Sequence, residues 1–382
     1  MLCFEDYGNG ILKEEKLVEA IDIIDEAKTF YKERQSMTTK KDIKKAKQMP
    51  NRTETEAAAR NEAIQKAKAA YKATVKVQRE EKEARIAAAK KKPESERKAA
   101  LKKYNGTEKE IEVPSSIEAN EQEYTVVGID NKAFYKNQNL QKLVISDSVL
   151  VVGNFAFMSC KNLESLVIGA NVDYIGVSAF QADKAPQNNR EKRLDADGKE
   201  ILNPQGEPIF YDGVGHLQHI DWQGAPKVIA ENAFYLNDKL DEIVLPEGVE
   251  EIGEWAFAKC SGANKIILPN GLKKIGAYSF MKDVLTEEII IPGTCKVISQ
   301  SAFYRNSNAK HIVLEEGVKT LAQGAFEECA SVETMKLPQS VTTVEKYAFS
   351  ACTAMQELQV KEGTTIYKEA FINNHKVNVV NY

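Results

Sequence analysis

The chain of 382 residues is long enough for more than one structural unit, and its 43% hydrophobic content suffices for a sizeable core. Its formal net charge of -4 is unevenly divided, because residues 1–105 carry 26 basic and 18 acidic side chains while the remainder is acidic. No stretch approaches the ~18–20 apolar residues of a membrane span, and the first residues lack the apolar segment of a signal peptide. We therefore expect no transmembrane segment and find no membrane anchor in the sequence.

Residues 1–105 are predicted to form a charged, mainly α-helical segment. The predicted helix at residues 12–34 is amphipathic, with one apolar face formed by Leu17, Ile21, Ile24 and Tyr31. Residues 54–92 are rich in Ala, Lys and Glu, which favours a long helix, and a third short helix is predicted at 93–105. The apolar face is thin, so we expect a helical hairpin, coiled coil or stalk. The basic side chains either form a solvated face or bind an anionic partner, such as the acidic remainder of the chain.

Residues 106–128 are predicted to form a β-hairpin that caps the following repeats. The two predicted strands are Ile111-Glu-Val113 and Tyr124-Thr-Val-Val127. Repeat arrays need such end caps, because a terminal unit lacks the neighbour that would cover it.

Residues 129–382 contain ten copies of a repeat, most of them 23 residues long. A phenylalanine marks each copy: Phe134, Phe157, Phe180, Phe234, Phe257, Phe280, Phe303, Phe326, Phe349 and Phe371. Between Phe180 and Phe234 the spacing is one repeat plus 31 residues, which indicates an insertion at about 184–215. Such a unit cannot bury its own apolar side chains, so neighbouring units must stack on it.

Further apolar positions follow the phenylalanine by six, nine and eleven residues, as in Leu140, Leu143 and Ile145, although the sixth position is weak in several copies (Ala263, Thr286 and Ala309). This LxxLxL spacing is the strand signature of a leucine-rich repeat. Alternate strand residues point to the same side, so positions nine and eleven are predicted to face the core. Position ten is predicted to face outward.

The stretch LPEGVEEIGEWAFAKC at 245–260 resembles the BspA-like leucine-rich-repeat family of type 5. The repeats of that family read LP-x-x-V-x-x-I-G-x-x-A-F-x-x-C, and the resemblance extends over 129–382. It implies an α+β fold class here, with a right-handed solenoid of short strands and turns after the helical segment. It also implies a role in protein binding, commonly in adhesion at a cell surface or after secretion, and no catalytic residue or cofactor.

The cysteines are predicted to be structural, because their positions follow the repeat. Four of them share one column, three residues after the phenylalanine, with Asn and Asp in other copies: Cys160, Cys260, Cys329 and Cys352. A small polar side chain there is expected to satisfy local backbone groups. Cys295 lies in an aliphatic column and is expected to be a buried small hydrophobe. The four histidines lack metal-ligand spacing, so we predict no metal site and no enzyme.

Two candidate surfaces for a partner remain. The first is an outward stripe of Val244, Ile267, Ile290 and Val313, flanked by Glu242, Lys265, Glu288 and His311. Branched aliphatic residues also favour strands in general, so the stripe alone does not establish a binding surface. The second is the insertion, where Phe210 and Tyr211 either contact a partner or pack on the repeat beneath. One or two hairpins are predicted there.

The function expected from these features is a non-catalytic protein-binding or adhesion module. Its partner would be a protein, such as a host or matrix protein, and we expect no nucleic-acid ligand. The alternative is a structural spacer in which the repeats and helices set distance and recognition lies elsewhere. Self-association through the last repeat strand or the N-terminal helices is a further expectation.

Overall fold

The repeats form a stack of coils, and each complete coil contributes one short strand to each of two parallel sheets. This architecture is seen in a computed structural model that describes residues 2–3, 98–119, 122–186, 192, 199–200, 212–283, 286–374 and 376–382. The helices predicted at 12–34 and 54–92 lie outside the described residues.

We call the two sheets the long sheet and the split sheet. The long sheet has 13 strands: β1 (Leu2–Cys3), β2 (Lys98–Lys103), β4 (Ser116–Ala119), β5 (Gln122–Ile129), β7 (Val151–Val152), β9 (Tyr174–Ile175), β11 (Val228–Ile229), β13 (Glu251–Ile252), β15 (Lys274–Ile275), β17 (Val297–Ile298), β19 (Thr320–Leu321), β21 (Thr343–Val344) and β23 (Thr365–Ile366). All of its pairings are parallel except that of β4 with β5.

The split sheet consists of three separate groups of strands. The first group is β3 (Glu110–Val113), β6 (Lys142–Ile145), β8 (Ser165–Ile168) and β10 (His219–Trp222). The second is β12 (Ile243–Val244), β14 (Ile266–Ile267), β16 (Glu288–Ile291) and β18 (His311–Leu314). The third is β20 (Thr334–Lys336), β22 (Glu357–Val360) and β24 (Asn378–Asn381), and a 3-10 helix at Lys368–Phe371 precedes β24. The LxxLxL residues therefore form the predicted strands, but not one continuous sheet.

The core is a column of stacked phenylalanine rings between the two sheets. Consecutive rings of the ten repeats lie 4.6–5.9 Å apart between centroids. The step from Phe180 to Phe234 is 5.2 Å, so the insertion leaves the stack unbroken. Positions nine and eleven face this column, as predicted, since Leu143 and Ile145 are buried. Each coil thus buries its apolar side chains against its neighbours.

The helix predicted at 93–105 is wrong over its second half, where the chain forms β2. This strand pairs in parallel with β5 and buries Ala99 and Leu101. Tyr104 then stacks on Phe134 at 4.9 Å and donates its backbone N–H to the carbonyl of Ala133. The repeat phenylalanines from Phe134 to Phe349 donate to the next coil in the same way. Pairing with the edge of the sheet and covering the first ring outweigh the local helix propensity.

The predicted hairpin is also wrong in its pairing. The strand that contains Ile111 and Val113 pairs in parallel with β6, so it acts as the split-sheet strand of an extra N-terminal coil. The hairpin forms instead between β4 and β5, separated by residues 120–121. Ile111 and Val113 have the same two-residue spacing as Leu143 and Ile145. Because of this match, β3 pairs beside β6 with both apolar side chains buried in the core.

Candidate interaction surface

The outward stripe lies on the second group of the split sheet. Ile267, Ile290 and Val313 are 40%, 42% and 46% exposed, whereas Val244 at its start is half-buried. Their neighbours in the same strands, Ile266, Ile289 and Ile312, are buried in the core. Three consecutive parallel strands therefore each present one branched aliphatic side chain to solvent, in direct register. Such exposure at adjacent positions forms an apolar patch.

Polar side chains border the stripe on one side. All four are exposed, and acidic residues alternate with a lysine and a histidine along the stack: Glu242, Lys265, Glu288 and His311. Turn prolines lie on the other side, and two of them, Pro269 and Pro292, are buried. An apolar centre with a polar rim is the usual arrangement of a protein-binding patch.

The stripe ends where the strand ladder is interrupted. Among the described residues, no ladder joins β10 to β12 or β18 to β20. Asp221 precedes the stripe and Lys336 follows it in the outward column. The patch thus coincides with one group of four strands.

A groove of about 500 Å³ opens at the interruption between β18 and β20. Val313 and Met335 contribute its apolar wall, and His311, Lys336 and Tyr382 contribute polar groups. The Tyr382 hydroxyl donates to the carbonyl of Leu337, and the Lys336 ammonium lies 4.1 Å from the centroid of the Tyr382 ring. Apart from the change from Val313 to Lys336 in the outward column, no sequence pattern predicts this groove, because it depends on the separation of two strands.

The base of the insertion is fixed to the solenoid by buried carboxylates. Lys184 and Gly213 form an antiparallel bridge, and Asp238 accepts hydrogen bonds from the backbone N–H groups of Asp212 and Gly213. The Asp212 carboxylate in turn accepts from Lys282 and lies 3.7 Å from the Lys259 ammonium. Sequence reasoning missed this anchor, since Asp212 and Asp238 meet only after the coils stack.

Phe210 and Tyr211 lie outside the described residues, as does most of the hairpin region predicted for 184–215. Their role stays a prediction.

The five cysteines in the repeats are buried free thiols. Four of them donate to the carbonyl of the preceding coil's phenylalanine, as Cys260 does to Phe234 at 3.2 Å, and three column asparagines do likewise. The column therefore holds together neighbouring coils rather than only its own turn. Burial raises the pKa of Cys160 and Cys295 to about 12 and raises that of Cys329 as well. Protonated, enclosed thiols are poor nucleophiles.

Within the described part of the chain, no group of three or more His, Cys, Asp and Glu side chains is arranged to hold a metal ion. No helix in that part is both long and apolar enough to cross a membrane.

Comparison with known proteins gives a family match. The sequence matches the model of the BspA type leucine rich repeat region in 6 copies, over residues 110–191, 206–306, 227–356 and 273–382. No curated protein matches the chain. The family match spans more than half of the chain.

Several solved structures are similar. A leucine rich cell surface protein from Faecalibacterium prausnitzii is 19% identical, with 76% of this chain and 91% of that chain covered and a TM-score of 0.34. A leucine rich repeat protein from T. pallidum is 20% identical, with 61% and 82% covered and a TM-score of 0.37. The pneumococcal vaccine antigen PcpA is 13% identical, with 74% and 91% covered and a TM-score of 0.30.

Proposed function

Because the chain belongs to the BspA-type leucine-rich-repeat family, we propose that it is a non-catalytic protein-binding module. Its recognition surface is the stripe of Ile267, Ile290 and Val313 with its polar rim. The observation that carries this proposal is the 40–46% exposure of three branched aliphatic side chains in register on adjacent strands. Water is displaced from all three at once when a partner covers them, which favours association.

The partner class that fits the stripe is a protein. The patch is shallow and runs across parallel strands, so it suits a macromolecular surface better than an enclosed small molecule. The rim carries two acidic residues, one basic residue and one histidine, Glu242, Glu288, Lys265 and His311, and this mixed charge does not favour a polyanion such as a nucleic acid. Adhesion at a cell surface, or after secretion, is the setting we propose from the family.

The test is a binding assay with the full chain and immobilised matrix proteins, namely collagen, fibronectin and laminin. Replacing Ile267 and Ile290 with Asp puts two carboxylates in the centre of the stripe. Binding should weaken by at least about 30-fold, the equivalent of ~2 kcal/mol, because a buried unpaired charge is costly in an interface.

Val297→Asp is the matched control. Val297 is 47% exposed, but it lies in β17 of the long sheet, away from the stripe. This variant should bind like the wild type. Equal binding by the double variant and the wild type would refute the assignment of the surface. A chain that binds none of the three proteins would contradict the adhesion proposal and favour a spacer.

A further inference from the structure

A group of lysines lies on the outward face of the long sheet, across the core from the stripe. It covers three consecutive coils, those of β15, β17 and β19. In these strands Ile275, Ile298 and Leu321 enter the core and are fully buried, so the residue before each of them points outward. Lysines occupy these outward positions or the positions just before them: Lys273, Lys274, Lys296 and Lys319. We call these four residues the basic face.

The lysines of the basic face follow one another at the spacing of the strands. Lys319 donates its backbone N–H to the carbonyl of Lys296 at 2.8 Å, and β15 pairs with β17 through Ile275 and Ile298. Each step between parallel strands is ~4.8 Å, so neighbouring lysines start closer together than the ~8 Å over which physiological salt screens a charge. Their charges therefore act jointly on an approaching anion.

The sequence of this part of the coils contains no acidic residue. The three stretches read KKIGAY at 273–278, KVISQS at 296–301 and KTLAQG at 319–324. The corresponding stretch of the preceding coil, EEIGEW at 250–255, contains three glutamates. Coils of the same design therefore tolerate either charge at these positions, and the fold itself does not require the basic composition.

The charge of the basic face is only partly compensated. The two lysines beside β15 pair with glutamates of the preceding coil, as Lys273 does with Glu250 at 2.7 Å. The Lys296 ammonium donates to the carbonyl of Gly293 at 2.9 Å. Within the described part of the chain, no ion pair includes Lys296 or Lys319, although both side chains are exposed. Two adjacent coils thus each present an ammonium group without a carboxylate.

The acidic residues closest to Lys319 along the chain are engaged by backbone groups. Glu315 accepts from the N–H of Gly293 at 3.3 Å, and Glu316 accepts from the N–H of Gln339 at 2.7 Å. These hydrogen bonds connect neighbouring coils at the turns. The two carboxylates are therefore held at the turns by the fold.

We propose that the basic face binds a linear sulfated polysaccharide. A lysine ammonium is a compact point charge with three donors, which suits a sulfate group. Gln300 and Gln323 are exposed in the same stretches, and their amides can donate to and accept from sugar hydroxyls. A chain lying across the strands meets the lysines in succession, and each contact releases a counterion from the polyanion. This ligand and this surface are independent of the protein partner and of the stripe.

Nucleic acid fits the basic face less well. Proteins that bind single strands stack the bases on aromatic rings. The one aromatic residue of the three stretches, Tyr278, is half-buried, its ring stacks on Trp255 at 4.4 Å, and its hydroxyl accepts from Gln300 at 2.9 Å. Duplex DNA is recognised by elements that enter its grooves, and a broad sheet face cannot do so.

Heparin binding by the full chain, followed by titration calorimetry at several salt concentrations, tests the proposal. Replacing both Lys296 and Lys319 with Glu reverses the two uncompensated charges. The double variant should bind heparin at least about tenfold more weakly at ~0.15 M salt. The slope of log Kd against the logarithm of salt concentration should fall by about two, because two lysine contacts that release counterions are lost.

Lys310→Glu is the matched control for Lys319→Glu. Lys310 is equally exposed, but it precedes β18 of the split sheet, so its charge reversal should leave heparin binding unchanged. Lys319→Gln removes the charge with little change in size and should weaken binding in the same direction, which guards against misfolding of the double variant. An equal loss in Lys310→Glu and Lys319→Glu would overturn the proposal, since net charge alone would then explain binding. Absence of heparin binding by the wild type would overturn it too, as would equal affinity for duplex DNA or for hyaluronan, which carries no sulfate.

Discussion

The column of Asn and Cys side chains that donate to the preceding coil gives the sharpest stability prediction. Asn306 is fully buried, and its Nδ2 donates to the carbonyls of Phe280 at 2.7 Å and Phe303 at 3.0 Å. In the next coil Cys329 occupies this position and donates to Phe303 through its thiol at 3.4 Å. Asn306→Ala removes the side-chain donor to Phe280 inside the core. A buried carbonyl that loses its donor costs ~1–3 kcal/mol, and we expect a loss of ~2–3 kcal/mol in stability because packing is also lost.

Asn306→Cys should cost far less. A thiol at this site can keep the hydrogen bond to Phe280, as thiols do in four other coils. The substitution also removes the Asn306 Oδ1, a buried acceptor that has no hydrogen-bond partner among the described residues. A thiol is a weaker donor than an amide, which lowers stability, whereas removing an unsatisfied buried acceptor raises it. Because these two effects oppose each other, we expect the free energy of unfolding to change by no more than ~1 kcal/mol.

Urea unfolding followed by tryptophan fluorescence measures both effects, because Trp222 and Trp255 lie in described coils of the solenoid. Asn264→Ala is the control: Asn264 is exposed, and its replacement should change stability by less than ~0.5 kcal/mol. The reasoning is refuted if Asn306→Ala is no more destabilising than Asn264→Ala. It is equally refuted if Asn306→Cys destabilises the chain as much as Asn306→Ala.

Three further predictions concern the core, the thiols and the insertion. Phe280→Ala should lower stability by ~3–5 kcal/mol in the same urea assay, and Phe371→Ala by clearly less, because Phe280 is fully buried and Phe371 only partly. Stability should fall as the pH rises above 9, the ordinary pKa of these thiols, since Cys160 and Cys352 keep their protons to about 12 when folded and lose them when unfolded. Replacing both cysteines with Ala should reduce the slope without abolishing it, because Cys295 and Cys329 remain, and an unchanged slope would contradict the prediction. Asp238→Ala should speed proteolysis within residues 184–215 about tenfold by releasing two backbone N–H groups, whereas Asp241→Ala, at an exposed site, should not.

Most of the solenoid could be predicted from the sequence, because every coil repeats the same spacing of core residues. The columns of Phe157, Leu166 and Ile168 identify the core face, and all three residues are buried. The exposure of Ile267 and Ile290 followed from strand alternation alone.

The failures lie where the repeat ends or where distant residues meet. The local sequence of residues 98–103 favours a helix, but these residues form a strand because they pair with the open edge of β5. The groove beside Lys336 depends on Tyr382 folding back across two coils, which no local pattern encodes. The outward column of the long sheet changes along the stack, because Val151 and Tyr174 occupy the positions that Glu251 and Lys274 occupy in later coils.

The two sheets differ in continuity, and this difference has a mechanical consequence. The long sheet runs through the stack as one hydrogen-bonded ladder, whereas the split sheet is interrupted after β10 and after β18. A force that bends the stack so as to stretch the split-sheet side meets fewer backbone hydrogen bonds at those two joints, where the described residues form no strand ladder. The solenoid should therefore flex as three stiff blocks hinged along the long sheet. The exposed stripe, which lies wholly within the middle block, would keep its shape while the molecule bends.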